Sequence, residues 1–341
     1  MPDFFGLSRE DRREALLVAA ERSGRPLHLL EKDVWVVWAL KHLFAGPHAE
    51  RLVFKGGTSL SKAYGVIRRF SEDVDLTYDI RAIAPDLVGK SASPWPTTRS
   101  QEKKWSKAIR QRLAELVAGE LLPEVAKALQ AHGLPATARA EGEQIFIDYE
   151  AFGEGTGYVR PSVLLEFGAR STGEPNEPRP VACDAAPHLP DVSFPSAMPQ
   201  VMRPERTFWE KATAIHVFCA QGSFRGGDRY ARHWHDVTRL DAAGFADSAA
   251  KDRALALAVA EHKSIFFAET MPDGAPIDYR AAVSGSLALA PLGNARTALA
   301  EDYQRMVQDG LLLDDAEPFD ALLQRCQALA ERINAVARGS A

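Results

Sequence analysis

The passage from Leu52 to Tyr78 constrains the chain most tightly. Leu52, Val53 and Phe54 favour a strand, and they stop at Gly56-Gly57. A glycine pair has no Cβ atoms, so its backbone N–H groups can close on a ligand. The spacing predicts a short helix after the glycines, capped by Thr58 or Ser59, whose free N-terminal N–H groups attract phosphate. Val74, Leu76 and Tyr78 then alternate with Asp73, Asp75 and Thr77, the period of a strand. Residues two apart on a strand share a face, so Asp73 and Asp75 project side by side. Two close like charges are costly unless a cation sits between them. Mg²⁺ takes oxygen ligands and commonly joins carboxylates to substrate phosphates. A phosphate cradle beside such a pair is the machinery of phosphoryl or nucleotidyl transfer. Lys55 adjoins the glycines, and alternation leaves open whether it points at substrate or outward.

With 341 residues and 46% hydrophobic content, the chain can bury one large domain or two. A net charge of −5 gives no global electrostatic case for nucleic-acid binding and leaves room for a local patch. Cys183, Cys219 and Cys326 are odd in number and widely spaced. They fit neither a disulfide framework nor a zinc pattern, as expected in a reducing cytosol. The charged stretch from Arg9 to Arg13 has no signal-peptide core, and no apolar run approaches the roughly 20 residues that span a bilayer. The expected location is cytoplasmic, with no membrane partner.

Ser8 and Gly24 bracket a first helix, and Gly46-Pro47 ends a second from about His28 to Phe44. That second helix is apolar nearly all round, which marks it as buried. Its Glu31-Lys32-Asp33 reads as a solvated first turn whose acids favour the helix dipole. Residues 83 to 98 read as irregular, broken by Pro85, Pro94 and Pro96. A long helix follows to about His132, opening with Lys103-Lys104-Trp105, Lys107, Arg110 and Arg112, a basic stretch that is either a solvated helix face or a holder of RNA phosphates. Ile145 to Tyr149, a turn over Gly153 to Gly157, and Val159 to Phe167 read as a hairpin. Glu166 stands amid Val163, Leu164, Leu165 and Phe167, and a carboxylate among aliphatics needs a partner. Asp148 is its rival as a site acid.

Eight prolines between 171 and 205 mark the domain boundary, giving 1–200 and a helical 201–341. Pro204 starts a helix whose Phe208, Ala212, Ile215 and Cys219 face the core, with Lys211 off that stripe. Arg225 to Asp228 reads as a loop. The helix after it bears Arg232, His233 and Asp236. His233 and His235 lack further ligands for zinc. Three or four amphipathic helices complete the chain.

Gly56-Gly57-Thr58 followed by Asp73-Val74-Asp75 resembles the signature of the polymerase-beta-like nucleotidyltransferase superfamily. The fuller string, Phe54 to Lys62 with Ser71 to Leu76, is similar to its AbiEii/AbiGii toxin branch. The resemblance implies an α+β fold: a mixed sheet flanked by helices, followed by a helical C-terminal domain. It implies an NTP co-substrate held by Lys55, Gly56, Gly57, Thr58 and Ser59. It implies Mg²⁺ or Mn²⁺ on Asp73 and Asp75, with Glu166 as third ligand or base, since Glu166-Phe167-Gly168-Ala169-Arg170 resembles the family's equivalent segment. Glu205 to Lys211 resembles a motif whose lysine contacts the triphosphate. Arg232-His233-x-x-Asp236 resembles a run that puts the aspartate by the active site, to hold Lys211 or a substrate hydroxyl, with Arg232 and His233 on phosphates. Glu31-Lys32-Asp33, Asp278 to Arg280 and Asp302 to Met306 also resemble family segments. The implied protein is the toxin of a bacterial type IV toxin–antitoxin system. It adds nucleotides to tRNA acceptor ends, stops translation, and has a cognate antitoxin. A small-molecule acceptor, a protein acceptor and an inactive binding fold are the alternatives.

Overall fold

A computed structural model describes residues 1–69, 71, 73–89, 95–153, 160–224, 229–308, 312 and 316–339. They form a mixed α+β fold in two compact units. The first comprises Met1–Tyr64, Ser71–Pro94 and Trp105–Met202, the second Gly65–Phe70, Trp95–Lys104 and Arg203–Ala341.

In the first unit the strands are β1 (Leu52–Lys55), β2 (Asp73–Tyr78), β3 (Ala136–Glu141), β4 (Gln144–Tyr149), β5 (Ser162–Gly168), β6 (Asn176–Pro178), β7 (Val181–Ala182), β8 (Ser196–Ala197) and β9 (Gln200–Met202). Seven make one sheet in the order β3-β4-β5-β2-β1-β9-β6, and β7 pairs with β8 apart from it. The sheet is mixed: β2 runs antiparallel to β1 and parallel to β5, which is antiparallel to β4. Alternation sorts its two faces. Leu52, Phe54, Val74, Leu76, Ile145, Ile147, Val163, Leu165 and Phe167 are all buried. The residues between them, Lys55, Asp73, Asp75 and Glu166 included, point the other way.

Helix α1 (Arg9–Ser23) starts where the Ser8 hydroxyl accepts from the Asp11 N–H and stops at left-handed Gly24. Helix α2 (Leu27–Leu43) is buried on every side, and Trp35 stacks on Tyr149 with ring centres 5.3 Å apart. Glu31, Lys32 and Asp33 are only 3%, 3% and 6% exposed, so the expected solvated turn is overturned. Each has a partner that makes burial tolerable: the Phe152 N–H, the Arg160 carbonyl and Lys62 respectively. Helix α3 (Gly56–Lys62) follows β1 directly. Within 83–98, Pro85 does not break structure but opens α5 (Pro85–Val88), just after α4 (Ile80–Ile83); residues 90–94 lie outside the described residues. Helix α6 (Arg99–Leu116) runs through a π-turn at Val117–Leu121 into α7 (Leu122–Ala131). The expected turn from 154 to 157 also lies outside the described residues, and its return strand begins at Ser162.

The second unit is helical: α8 (Pro204–Gln221), α9 (Ala231–Ala242), α10 (Phe245–Lys251), α11 (Arg253–Phe266), α12 (Tyr279–Ala281), α13 (Gly293–Gln308) and α14 (Phe319–Gly339). Trp209 and Trp234 are fully buried, and their indole N–H groups donate to the carbonyls of Ala249 (3.0 Å) and Leu289 (2.8 Å). Helices α10 and α11 are separated at Asp252, whose carboxylate caps α11 by accepting from the Leu255 N–H. The loop expected over 225–228 lies outside the described residues. Among the described residues no helix is long and apolar enough to cross a membrane.

Candidate active site

Strand register gathers the acids of the first unit. Lys55 lies opposite Asp75, Asp75 opposite Glu166, and Glu166 opposite Gln144. Directly paired residues share a face about 5 Å apart, so these four form one row across four strands. Asp73 sits two residues along from Asp75 on the same face. The register thereby decides what alternation left open: Lys55 is on the face of the acids. It also overturns the expectation of a carboxylate among aliphatics. Val163, Leu165 and Phe167 turn into the core while Glu166 is exposed on the opposite face. Although Glu166 reaches solvent, its pKa is raised, first by partial withdrawal from water and then by the charges of Asp75 and Asp73; Lys55 opposes the rise. Asp148 shares this face but stands opposite Ser162, and Arg139 Nε donates to it at 3.0 Å. Glu166 is therefore the acid in register with Asp75.

Gly56 is dictated by Asp75. Its φ is +79°, and a Cβ there would overlap the Asp75 carboxylate, whose Cγ would lie 2.8 Å away. Helix α3 begins at this glycine with Lys55 in the cap position, so neither Thr58 nor Ser59 caps it. Both are buried inside the helix. The Thr58 hydroxyl donates to the Asp73 carbonyl, latching α3 to the first residue of β2, and the Ser59 hydroxyl donates to the Gly56 carbonyl at 2.9 Å. Their side chains serve the turn itself. The groups left to meet a ligand are backbone N–H groups of the first helical turn.

A second group in this unit escaped the sequence reading. Lys62, closing the glycine motif, pairs with Asp33 of α2 and with Asp184 at 2.7 Å. The Asp184 N–H donates to Asp33 at 2.6 Å, and Arg25 pairs with the Asp184 carboxylate. Burial alone would lower the Lys62 pKa, but the two acids outweigh it and raise it. Burial, joined by the Asp184 charge, raises the pKa of Asp33 against the pull of Lys62. The available signal was the apolar character of α2: a charge on a helix without a solvent face must be buried and paired.

The second unit holds its own charge cluster. Asp236 is fully buried. Arg69 grips it with both Nε and Nη2 at 2.8 Å, and Lys211 Nζ lies 2.9 Å away. Burial would raise the Asp236 pKa, but Arg69 and Lys211 hold it well below the ordinary carboxylate range. His235 Nδ1 is 3.3 Å from the same carboxylate. The pKa of His233 falls well below its ordinary value, through burial and then the Lys211 charge, so His233 is neutral at pH 7. A phosphate contact from it would be a neutral hydrogen bond. Arg69, Lys211 and Asp236 together keep one positive charge in excess, the sign that suits a polyphosphate. Arg69 was absent from the sequence reading: nothing near it in the chain announces a partner 167 residues away.

The structure thus brings Lys55, Gly56, Asp73, Asp75 and Glu166 together in one unit, and Lys211, Arg232, His233 and Asp236 together in the other. The acids of the sheet offer carboxylate oxygens alone, the donor set of a hard divalent cation. As they stand, no three Asp, Glu, His or Cys side chains among the described residues close on one metal position. Two adjacent carboxylates with a glycine turn packed on one of them suit a cation-bridged phosphate.

The family model for the nucleotidyl transferase AbiEii toxin of type IV toxin–antitoxin systems matches residues 38–325. No curated protein matches the chain. Among solved structures it is similar to MenT4, a nucleotidyltransferase toxin from Mycobacterium tuberculosis H37Rv. Identity is 19% and the TM-score 0.45, over 98% of this chain and all of that one.

Proposed function

Because the chain belongs to the AbiEii family of nucleotidyltransferase toxins of type IV toxin–antitoxin systems, we propose that it moves a nucleoside monophosphate from an NTP to the 3′ hydroxyl of a tRNA. Pyrophosphate leaves, and the altered tRNA no longer supports translation. The observation that carries this reading is the row Lys55–Asp75–Glu166, with Asp73 beside it and Gly56 packed against Asp75.

Asp73 and Asp75 would hold Mg²⁺ or Mn²⁺. Such an ion, when bound, polarises the α-phosphate and eases ionisation of the attacking hydroxyl. Glu166 completes the ligand shell or takes the acceptor's proton. Backbone N–H groups of Gly56 and Gly57 bind phosphate oxygens, with Thr58 and Ser59 keeping that turn in shape. Lys211 and Arg232 are assigned to NTP phosphates, with charge on the leaving pyrophosphate the particular task of Lys211. Asp236 orients Lys211, to which it is already paired.

An RNA acceptor is favoured by one face of α6. Lys103, Lys104, Lys107 and Arg110 are exposed there, while Trp105 is turned inward and takes no part in stacking. A stripe of cations on a chain of net charge −5 suits a phosphate backbone better than a small antibiotic. The proposed partners are thus NTP, tRNA and a cognate antitoxin, and the proposed location is the bacterial cytoplasm.

The test is incubation with each α-labelled NTP and Mg²⁺ or Mn²⁺ in the presence of tRNA, total protein or an aminoglycoside. Label is expected on tRNA, dependent on the metal. Label confined to protein or antibiotic would overturn the acceptor, and no label under any condition would overturn the transferase reading of this chain.

A further inference from the structure

Helix α9 carries Arg232, His233 and Asp236, and its start is held from a distance. Tyr230 occupies the cap position and makes no side-chain cap. Asp302 of α13, 6% exposed, supplies it. One carboxylate oxygen accepts from the Arg229 N–H at 2.8 Å and the other from the Ala231 N–H at 2.7 Å. A negative charge at a helix N-terminus is favourable in itself. Holding the helix alone, however, needs no more than a serine or asparagine at position 230. Asp302 does something else. It fixes Arg229 at φ +80°, the left-handed region that a residue with a Cβ disfavours, and no other non-glycine among the described residues is found there. In that conformation the Arg229 carbonyl accepts from Arg232 Nε at 3.3 Å. One strained peptide therefore joins a buried carboxylate to the root of a guanidinium. Arg305 approaches Asp302 at 3.5 Å and leaves both backbone bonds in place.

We propose that Asp302 is a positioning residue for nucleotide binding: by holding Arg229 in its left-handed turn, it aims the Arg232 guanidinium. The proposal rests on the assignment of Arg232 to the NTP phosphates. A strained backbone residue persists only where its surroundings over-determine it, and here the beneficiary is an arginine whose direction matters more than its charge.

The experiment is a double-mutant cycle on the full chain with Asp302→Asn and Arg232→Ala, reading KM for NTP, kcat and melting temperature. Asn keeps the size of Asp302 but turns one of its two acceptors into a donor facing an N–H group. Asp302→Asn is expected to raise KM for NTP about tenfold, the scale of one charge-assisted hydrogen bond, with a smaller change in kcat. In the Arg232→Ala background it should add nothing, because its effect runs through the missing guanidinium. Effects that multiply in the double variant, or an unchanged KM in Asp302→Asn, overturn the proposal. An unchanged KM in Arg232→Ala overturns the phosphate assignment itself and the proposal with it. Should Asp302→Asn not fold, Arg232→Lys decides: it keeps the charge and loses Nε. A KM raised as in Arg232→Ala supports the proposal, and a wild-type KM sinks it.

Discussion

In the first unit, Asp33 and Asp184 meet Lys62 and Arg25, two acids against two cations, with the Lys62 and Asp33 side chains each 7% exposed. On the polar face of the same unit's sheet, Asp73, Asp75 and Glu166 lie about the single ammonium of Lys55 in their row, and Glu166 is open to water. Both groups are rich in carboxylates, and both sit in segments that resemble one family's motifs. Their charge balance separates them. A balanced group with its central Lys62–Asp33 pair buried is complete as it stands and ties α2, α3 and the Asp184 loop into one body. Among the described residues of the row the acids outnumber its one ammonium and are partly open to water, a setting that suits a cation carried in with a phosphate ligand. The contrast should appear as opposite responses to mutation: the quartet governs stability and the row governs turnover.

The largest expected effect is at Asp75. Asp75→Asn keeps the shape beside Gly56 and removes the charge. Nucleotide transfer should fall by about 10³-fold or more, which is roughly 4 kcal/mol of barrier. The melting temperature should hold or rise, because repulsion with Glu166 is relieved. Labelled-nucleotide transfer and a thermal melt measure the two. A variant that transfers normally, or that melts well below wild type, would erase the distinction between the two groups.

The quartet should give the reverse. Lys62→Met leaves buried Asp33 without its ammonium, and breaking a buried pair on one side costs about 3–5 kcal/mol. Chemical denaturation reads this directly. Adding Asp33→Leu to Lys62→Met should recover part of the loss, since a matched apolar pair avoids the stranded charge. If Lys62→Met is as stable as wild type, the quartet is no anchor.

What the sequence disclosed follows the range of the interactions involved. The alternation from Asp73 to Leu76 and the caps of α1 at Ser8 and Gly24 are local patterns that the structure carries, while Thr77, on the face of the acids, is buried as well. The surroundings of Glu166 were not legible, because its face is settled by register with β2 and β4, far away in the chain. Thr58 and Ser59 were misread as caps by the shift of one helix boundary: with Lys55 in the cap position, their hydroxyls fall inside the turn. Glu31-Lys32-Asp33 was misread because charge outweighed the pattern around it. The apolar circumference of α2 already implied that these side chains had partners elsewhere, without saying that one was Lys62. Arg69 had no signal of either kind, since a side chain gripping Asp236 from another part of the chain leaves no period to detect.

Glu31 is expected to give the smallest effect, for it is buried two residues before Asp33 on α2 and has a backbone partner where Asp33 has an ammonium. Its carboxylate accepts from the Phe152 N–H at 3.1–3.2 Å. Burial raises its pKa from an ordinary 4.5 to about 7, against the pull of that N–H, Arg9 and Arg12. The folded protein therefore holds a proton that the unfolded chain has released between these two values. A group whose pKa is raised on folding contributes stability that is fully present below its unfolded pKa and is lost as pH rises through the folded one. Wild type should accordingly lose stability between pH 4.5 and about 7 through this residue. Glu31→Gln keeps an acceptor for the Phe152 N–H and cannot ionise, so its melting temperature should be flatter over that range. The variant should exceed wild type at pH 8 by roughly 1–2 kcal/mol once solvent screening is allowed for. At pH 5 the two should nearly coincide. Parallel melting curves from pH 4.5 to 8 would mean that Glu31 is compensated like Asp33, and that burial without a bonded cation is not what distinguishes it.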